Sequence, residues 1–196
     1  MDTETTDEII TATGRALQKY GYANLTMQRI AEESSITTAA IHYHFDTKED
    51  LLNAFLDDLI KRFEAQLACE ARNPRERLDS FFEAVYTPSE TGDDDFPVGL
   101  MELKAQAPYH NRVRERFLEL DDMMQSVVAS IVRDGVDAEH FGEANPEEIA
   151  QLVTTLANGG HTRTVALGEN PAETRQLVER VLELRLGWAP NSEVDA

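Results

Sequence analysis

The sequence predicts an all-α protein of about nine helices, and three observations support this fold class. Apolar residues recur at spacings of three and four along most of the chain, which is the period of an amphipathic helix. Strand signals are nearly absent, since no Asn-Gly hairpin turn joins two alternating runs and alternating β-branched runs are few. Prolines and glycines stand where the periodic segments begin and end. We therefore expect helices joined by short loops.

The first 48 residues predict three short helices. These are Thr6–Tyr20, Met27–Glu33 and Thr38–Phe45. Gly21 ends the first helix, and Thr26 and Thr37 are the expected N-caps of the other two. Residues 34–36 form a tight turn between the second and third helices, which is the helix-turn-helix arrangement. Three such helices bury little apolar surface alone, so we expect a fourth helix to brace them.

The rest of the chain predicts longer helices. The fourth helix carries apolar residues from Leu51 to Leu67, and the later helices are Pro74–Tyr86, Pro97–Ala107, Tyr109–Asp134, Pro146–Leu167 and Pro171–Leu186. Loops are expected at residues 87–95 and at Gly135–Asn145. Small residues at Gly159 and Gly160 either allow another helix to approach closely or mark a kink. We predict one domain over residues 1–48, a second over 49–190 and a frayed tail over 191–196.

The charge of the chain is strongly negative, with 37 acidic residues against 18 lysines and arginines and a formal net charge of −19. Residues 1–48 carry seven acids and four bases, so most of the excess lies beyond them. A nucleic-acid-binding domain is usually basic. The composition resembles proteins of salt-in halophiles, although an ordinary acidic protein stays an alternative. In 1 M salt, repulsion is screened beyond about 3 Å, so acidity does not exclude DNA binding.

Several classes of protein lack support in this sequence. No apolar run is long enough for a membrane span, and the acidic first residues do not resemble a secretory signal. A single cysteine, Cys69, fits a reducing cytoplasm. Motifs of common hydrolases, P-loop proteins and zinc enzymes are absent, so we expect no enzyme activity and no cofactor. His42 and His44 point about 200° apart on a helix and cannot chelate a metal together.

The third predicted helix has the chemistry of a DNA-reading helix. Residues 37–40 have small side chains, which let a helix sit deep in the major groove. The helix ends with His42, Tyr43 and His44, which can hydrogen-bond to phosphates or base edges. Lys48 follows as a charge directed at phosphate.

Four segments give this region a specific resemblance. They are Gly21–Ala31, Ile36-Thr37, Ile41–Phe45 and Lys48–Leu52. Together, over roughly residues 8–55, they resemble the TetR family of transcriptional regulators, with its G-x-x-x-x-T-x-x-x-I-A segment, G-V-S turn, L-Y-x-H-F helix end and K-E-x-L start. Two positions depart from that pattern. Ser35 replaces the turn glycine, where a left-handed serine would cost about 1 kcal/mol, so we expect an altered turn. His42 replaces a tyrosine.

The resemblance implies that residues 1–48 are a helix-turn-helix DNA-binding domain and residues 49–190 a regulatory and dimerisation domain. The DNA-contacting positions it implies are Thr26, Gln28, Thr37, Thr38, Ala39, Ala40, His42, Tyr43, His44 and Lys48. We expect Thr26, Tyr43, His44 and Lys48 to position the DNA backbone. We expect Gln28, Thr38, Ala39 and Ala40 to contact the bases. The implied partner is a near-palindromic double-stranded operator bound by a homodimer that represses transcription and pairs through its last two helices.

The resemblance also implies a small apolar or amphipathic effector. Its expected contacts are Phe82, Tyr86, Met101, Phe117 and Met124, with His110, Asn158 and His161 as polar groups that orient it. An ordinary packed core uses the same residue types. Two alternatives therefore stay open. One is a ligand-independent DNA-binding regulator, and the other is a protein-interaction module that keeps the fold but has lost DNA binding.

Overall fold

The structure is a computed structural model that describes residues 3–67, 73–86 and 96–188, and every regular element in these ranges is a helix. The helices are α1 (Thr3–Asn24), α2 (Met27–Glu32), α3 (Thr38–His44), α4 (Lys48–Leu67), α5 (Pro74–Tyr86), α6 (Phe96–Lys104), α7 (Asn111–Asp137), α8 (Pro146–Leu167) and α9 (Pro171–Leu186). The all-α prediction is confirmed. Cys69, the predicted loop at 87–95 and the predicted tail at 191–196 lie outside the described residues. None of the described helices is long and apolar enough to cross a membrane.

Helices α5, α8 and α9 begin and end where the sequence predicts, because their end signals are local. The Asn145 side chain caps α8 by accepting the N–H groups of Glu147 (3.0 Å) and Glu148 (3.3 Å). Asn170 caps α9 in the same way through the N–H of Ala172. After α8, Gly168 takes the left-handed conformation (φ 68°) that ends a helix.

Helix α7 does not end where a loop was predicted. It continues through Gly135 to Asp137, and the left-handed turn residue is Glu139 (φ 58°). A Cβ atom on residue 135 would lie 2.1 Å from the Phe141 ring. Gly135 therefore makes room for an aromatic side chain within a helix, and the prediction that it starts a loop was wrong. Other boundaries also differ from the prediction. Helix α1 starts at Thr3 and continues to Asn24 across a break at Gly21, α6 ends at Lys104 and α7 starts at Asn111, while α2 and α3 each end one residue earlier than predicted.

The chain forms two compact units. Unit 1 comprises residues 1–62 and 89–119, and unit 2 comprises residues 63–88 and 120–196. The core of unit 1 joins α1 to α4 with α6 and the start of α7, and its fully buried side chains include Ile9, Leu17, Ile30, Ile41, Leu51 and Leu103. The core of unit 2 includes Phe81, Phe82, Val128, Val153, Leu182 and Trp188. The predicted domain boundary at residue 48 stays a prediction.

Candidate nucleic-acid interface

Helices α2 and α3 are short, and each is fixed by one cap and one buried anchor. The Thr26 hydroxyl accepts the N–H of Arg29 at 3.2 Å, which caps α2. The Thr37 hydroxyl accepts the N–H of Ala40 at 3.2 Å, which caps α3. Ile30 and Ile41 are fully buried beneath the two helices. Both predicted caps are confirmed, and they set where α3 begins.

The turn between α2 and α3 has a partner in α1. The backbone N–H and the hydroxyl of Ser35 both donate to Oε1 of Glu8, at 3.0 and 2.7 Å. These two hydrogen bonds, the hydroxyl first, lower the pKa of the Glu8 carboxyl. Ser35 avoids a positive φ, since Glu139 is the only non-glycine residue with one in the described ranges. Ser35 therefore does not adopt the left-handed conformation, and a charged hydrogen bond stabilises the turn.

The ten predicted DNA-contacting residues all lie in unit 1, from the start of α2 to the start of α4. The exposed ones are Thr26, Gln28, Thr37, Ala39, His42 and Tyr43, and the partly buried ones are Thr38, Ala40, His44 and Lys48. Tyr43 is 72% exposed, a large value for an aromatic residue. Residues 37–45, which we call the recognition surface, contain no carboxylate. An acidic chain thus presents an uncharged, hydrogen-bonding surface on α3.

Most bases of the first 48 residues bind other parts of unit 1. Lys19 pairs with the Glu33 carboxylate at 2.7 Å, which raises the pKa of Lys19 and lowers that of Glu33. Arg15 donates to the backbone carbonyl of Glu33 at 2.6 Å, and Arg29 donates to a carbonyl at the end of α1 at 2.7 Å. Lys48, at the start of α4, instead places its ammonium over the ring of Tyr22. Few cations are therefore available for phosphate, and hydrogen bonds must contribute more of any contact with DNA.

Comparison with known proteins agrees with this architecture. Residues 9–55 match the bacterial regulatory proteins of the tetR family, and residues 74–187 match the BetI-type transcriptional repressor C-terminal domain. A TetR transcription regulator from Haloarcula marismortui is 35% identical, with a TM-score of 0.88 over 94% of this chain and 99% of that one. The chain belongs to the TetR family of transcriptional regulators. TetR regulators bind DNA and function as dimers.

Other relatives support either the first domain or the fold. The regulator TtgR of Pseudomonas putida is 45% identical over 56 residues, which cover 29% of this chain and only 27% of that protein. A transcriptional regulator from Saccharomonospora viridis, solved in complex with choline, is 22% identical with a TM-score of 0.83, over 94% of this chain and 98% of that one. At that identity the likeness shows a shared TetR fold.

The residues predicted to contact an effector are divided between the two units of this TetR protein. Met101, His110 and Phe117 belong to unit 1, and Phe82, Tyr86, Met124, Asn158 and His161 belong to unit 2. Within unit 1, His110 contacts Tyr22 of α1 and Glu49 of α4, and its Nδ1 lies 3.3 Å from the Glu49 carboxylate. Asn158 donates to Asp121 at 3.3 Å within unit 2. Their role in ligand binding stays a prediction.

Two aromatic side chains in the core of unit 2 have buried polar atoms with no hydrogen-bond partner among the described residues. These atoms are the hydroxyl of Tyr86 and the indole Nε1 of Trp188. Both rings pack against Phe82, with centroids 5.9 and 5.6 Å from its own. Burial, with a smaller contribution from Glu179, raises the pKa of Tyr86 to about 12. The sequence analysis missed Trp188, which follows α9 and reaches this cluster only through tertiary packing.

Unit 1 has two open clefts along α4 and the start of α7. The larger, of about 380 Å³, is lined mainly by charged groups, including Asp57 and Arg116, whose carboxylate and guanidinium lie 2.5 Å apart. The smaller, of about 270 Å³, includes Tyr109 and His110. Both clefts are open to solvent and include charged residues in their lining, whereas an apolar effector would favour an enclosed apolar cavity.

Proposed function

We propose that this protein is a ligand-responsive transcriptional repressor that binds a near-palindromic DNA operator as a homodimer. The observation that carries the proposal is the recognition surface on α3. It is capped by Thr37, anchored by Ile41 and free of carboxylates in a chain of net charge −19. A surface without carboxylates on an acidic protein suits a polyanionic partner, because a carboxylate there would repel phosphate.

Residues on and beside this surface have distinct proposed roles. Gln28, Thr38 and Ala39 are small or amide side chains suited to base edges and thymine methyl groups in the major groove. Tyr43 and Lys48 would contact the DNA backbone. The Haloarcula relative and the acidic composition support a protein adapted to concentrated salt. Because few lysines and arginines near this surface would release counterions from DNA, we expect the affinity for DNA to fall only slightly as the salt concentration increases.

Dimerisation is supported by the exposed side of α8, which we call the pairing face. It consists of uncharged residues at helical spacing, namely Gln151, Thr155, Gly159, Thr162 and Ala166. Exposed leucines accompany it, including Leu177 at 52% and Leu184 at 82% exposure on α9. Two such helix pairs would form a four-helix bundle between subunits. The two α3 helices would then enter major grooves about 34–36 Å apart.

The effector would bind in unit 2 beside Tyr86 and Trp188. Their unpartnered polar atoms lie within an aromatic cluster, which suits an amphipathic molecule with a hydrogen-bond acceptor, since an indole N–H only donates. Binding would shift the population away from the DNA-competent conformation. The second candidate is ligand-independent regulation, favoured by the complete burial of Phe81, Phe82 and Trp188. Choline is a suitable first probe, because the Saccharomonospora relative was solved with it, aromatic rings bind quaternary ammonium groups, and its hydroxyl can accept a hydrogen bond.

The effector is tested by thermal unfolding of the protein with and without choline and a panel of amphipathic carboxylates and amines. A ligand-responsive protein gains thermal stability from a member of the panel. The Trp188→Phe variant, which removes the indole donor, should lose that gain. The absence of any gain across the panel supports ligand-independent regulation.

DNA binding is tested by selecting duplexes from a random-sequence pool with the wild-type protein and by mapping its sites across the host genome. Enrichment of a near-palindromic sequence, bound by two subunits, is the expected result. Failure to enrich any sequence, at both low and multimolar salt, would favour a protein-interaction module on the same fold.

A further inference from the structure

Tyr22 lies where α1 leaves its helical path. Gly21 has φ 70° and ψ 165°, a conformation that favours glycine, and it turns the chain toward α2. Directly after this break, the N–H of Tyr22 donates to Oε2 of Glu102 on α6 at 2.5 Å. A Cβ atom on residue 21 would lie 2.7 Å from the same oxygen. Gly21 thus permits both the break and the close approach of the Glu102 carboxylate.

The phenol of Tyr22 has its own partner. Its hydroxyl lies 3.4 Å from Nε2 of His110, and Nδ1 of His110 lies 3.3 Å from the Glu49 carboxylate. A neutral imidazole with its proton on Nδ1 satisfies both contacts, because it donates to Glu49 and accepts from the phenol. Burial, and then the charge of Glu49, raise the pKa of Tyr22, which keeps the phenol protonated as a donor.

The ring of Tyr22 also carries a cation. The ammonium of Lys48 lies 4.4 Å from the ring centroid, within the range of a cation–π contact. Lys48 is the only lysine or arginine among the ten predicted DNA-contacting residues, and two carboxylates, Glu49 and Asp50, follow it directly. The aromatic ring therefore restrains a flexible side chain that has acidic neighbours and stands just beyond the end of α3.

We propose that Tyr22 is a positioning residue for DNA binding, which places Lys48 for contact with phosphate and is itself held by Glu102 and His110. The inference rests on the proposed DNA-binding function. Without the ring, Lys48 would sample more conformations and approach its acidic neighbours, and its phosphate contact would weaken. Since α6 and the start of α7 hold Tyr22, a movement of either helix would change the affinity for DNA through this side chain.

The experiment uses the full-length protein and a duplex that the wild-type protein selects from random-sequence DNA, with affinity measured against salt concentration. Lys48→Gln should lower the affinity about 10-fold and reduce the slope of log affinity against log salt by about 2, which is about 1 for each subunit of the dimer. Tyr22→Leu should reproduce most of both changes. Tyr22→Phe keeps the aromatic ring and should keep the salt slope, which separates positioning from general damage to the fold.

Double variants test whether these residues act through one another. Adding Tyr22→Leu to Lys48→Gln should cause little further loss, because the cation that the ring positions is already absent. Glu102→Ala should lower the affinity about 3-fold in the wild-type background and hardly at all beside Lys48→Gln. Glu102→Gln keeps an oxygen acceptor for the Tyr22 N–H and is the matched control.

The outcomes separate this inference from the proposed function. If Tyr22→Leu binds the duplex with the wild-type affinity and salt slope while Lys48→Gln does not, the positioning role is overturned and DNA binding stands. If the wild-type protein selects no duplex, the proposed function and this inference both fail. If circular dichroism shows that Tyr22→Leu is unfolded, the Glu102→Ala series decides, and simple additivity with Lys48→Gln would overturn the inference.

Discussion

The recognition surface and the pairing face both lack carboxylates in a chain that has 37 of them, yet different chemistry replaces the acid in each. On the recognition surface, hydroxyls, imidazoles and a phenol remain, and all of these form hydrogen bonds. On the pairing face, one amide, two threonines, an alanine and a glycine remain, flanked by exposed leucines, and none of these five residues is aromatic or carries an imidazole. Absence of charge therefore marks both surfaces, and the replacing side chains indicate whether a polyanion or a second helix is the partner.

The largest effect is expected when a carboxylate is placed on the recognition surface. Ala39→Glu would put an acid against DNA in both half-sites of a dimer. At about 1–3 kcal/mol for each half-site, the affinity for the selected duplex should fall about 100-fold or more. Fluorescence anisotropy measures this loss. Ala138→Glu adds the same charge at an exposed position after α7, and a loss of similar size there would mean that net charge, not position, is responsible.

The same change on the pairing face should act on assembly. Gly159→Glu would place two like charges near each other across a two-fold axis, and the dimer dissociation constant should rise at least about 10-fold, or about 1.4 kcal/mol. Sedimentation at several protein concentrations measures it. An unchanged dimer would show that subunits pair elsewhere, and the contrast between the two surfaces would lose its meaning.

A pair of neighbouring glycines distinguishes the side of α8 that packs within the subunit from the pairing face. A Cβ atom on Gly160 would lie 2.4 Å from Cγ2 of Thr174, whereas one on Gly159 meets nothing within 4 Å. Gly160→Ala should therefore reduce the free energy of unfolding by about 1–2 kcal/mol, through overpacking against α9. Gly159→Ala should leave it unchanged or raise it slightly, because alanine favours helix. Chemical denaturation of both variants checks this, and equal losses would contradict it.

The smallest effect concerns the turn beneath the recognition surface. Because Ser35 lowers the pKa of Glu8, this contact stabilises the fold above the ordinary carboxyl pKa of about 4.5 and is lost as the pH falls through the lower, folded-state value. Ser35→Ala should remove the hydroxyl's share of that acid sensitivity and leave the share of the backbone N–H, and the effect should be small because Glu8 is partly exposed to solvent. Melting temperatures from pH 3 to pH 7 measure it. Identical pH profiles for variant and wild type would count against the contact.

The parts of the fold that follow from local signals were predictable from the sequence. Thr26 and Thr37 cap helices through hydrogen bonds three residues away, and Asn170 does so two residues away, so the helix starts were placed correctly. Gly135 was misinterpreted because its role depends on the Phe141 ring. A glycine that accommodates a packed side chain and one that ends a helix look the same in a single sequence.

The candidate site also contains residues that could be predicted from the sequence and contacts that could not. The recognition surface is contiguous in sequence and matches a family pattern, so its residues could be named in advance. The contacts of Tyr22 join residues 80 and 88 positions apart, with Glu102 and His110. The contact between Ser35 and Glu8 spans 27 positions. No short pattern records such pairs, because the Tyr22 contacts form only when α6 and the start of α7 pack in unit 1, and the Ser35 contact forms only when the turn packs against α1.

The fluorescence of Trp188 reports on the core of unit 2. Trp188 is the only tryptophan in the chain and is fully buried in the core of unit 2. Its fluorescence therefore follows the melting of that core, whereas far-ultraviolet circular dichroism follows the helices of both units. Coincident transitions would mean that the units melt as one cooperative block. Separate transitions would let each unit's stability be read from a single unlabelled sample.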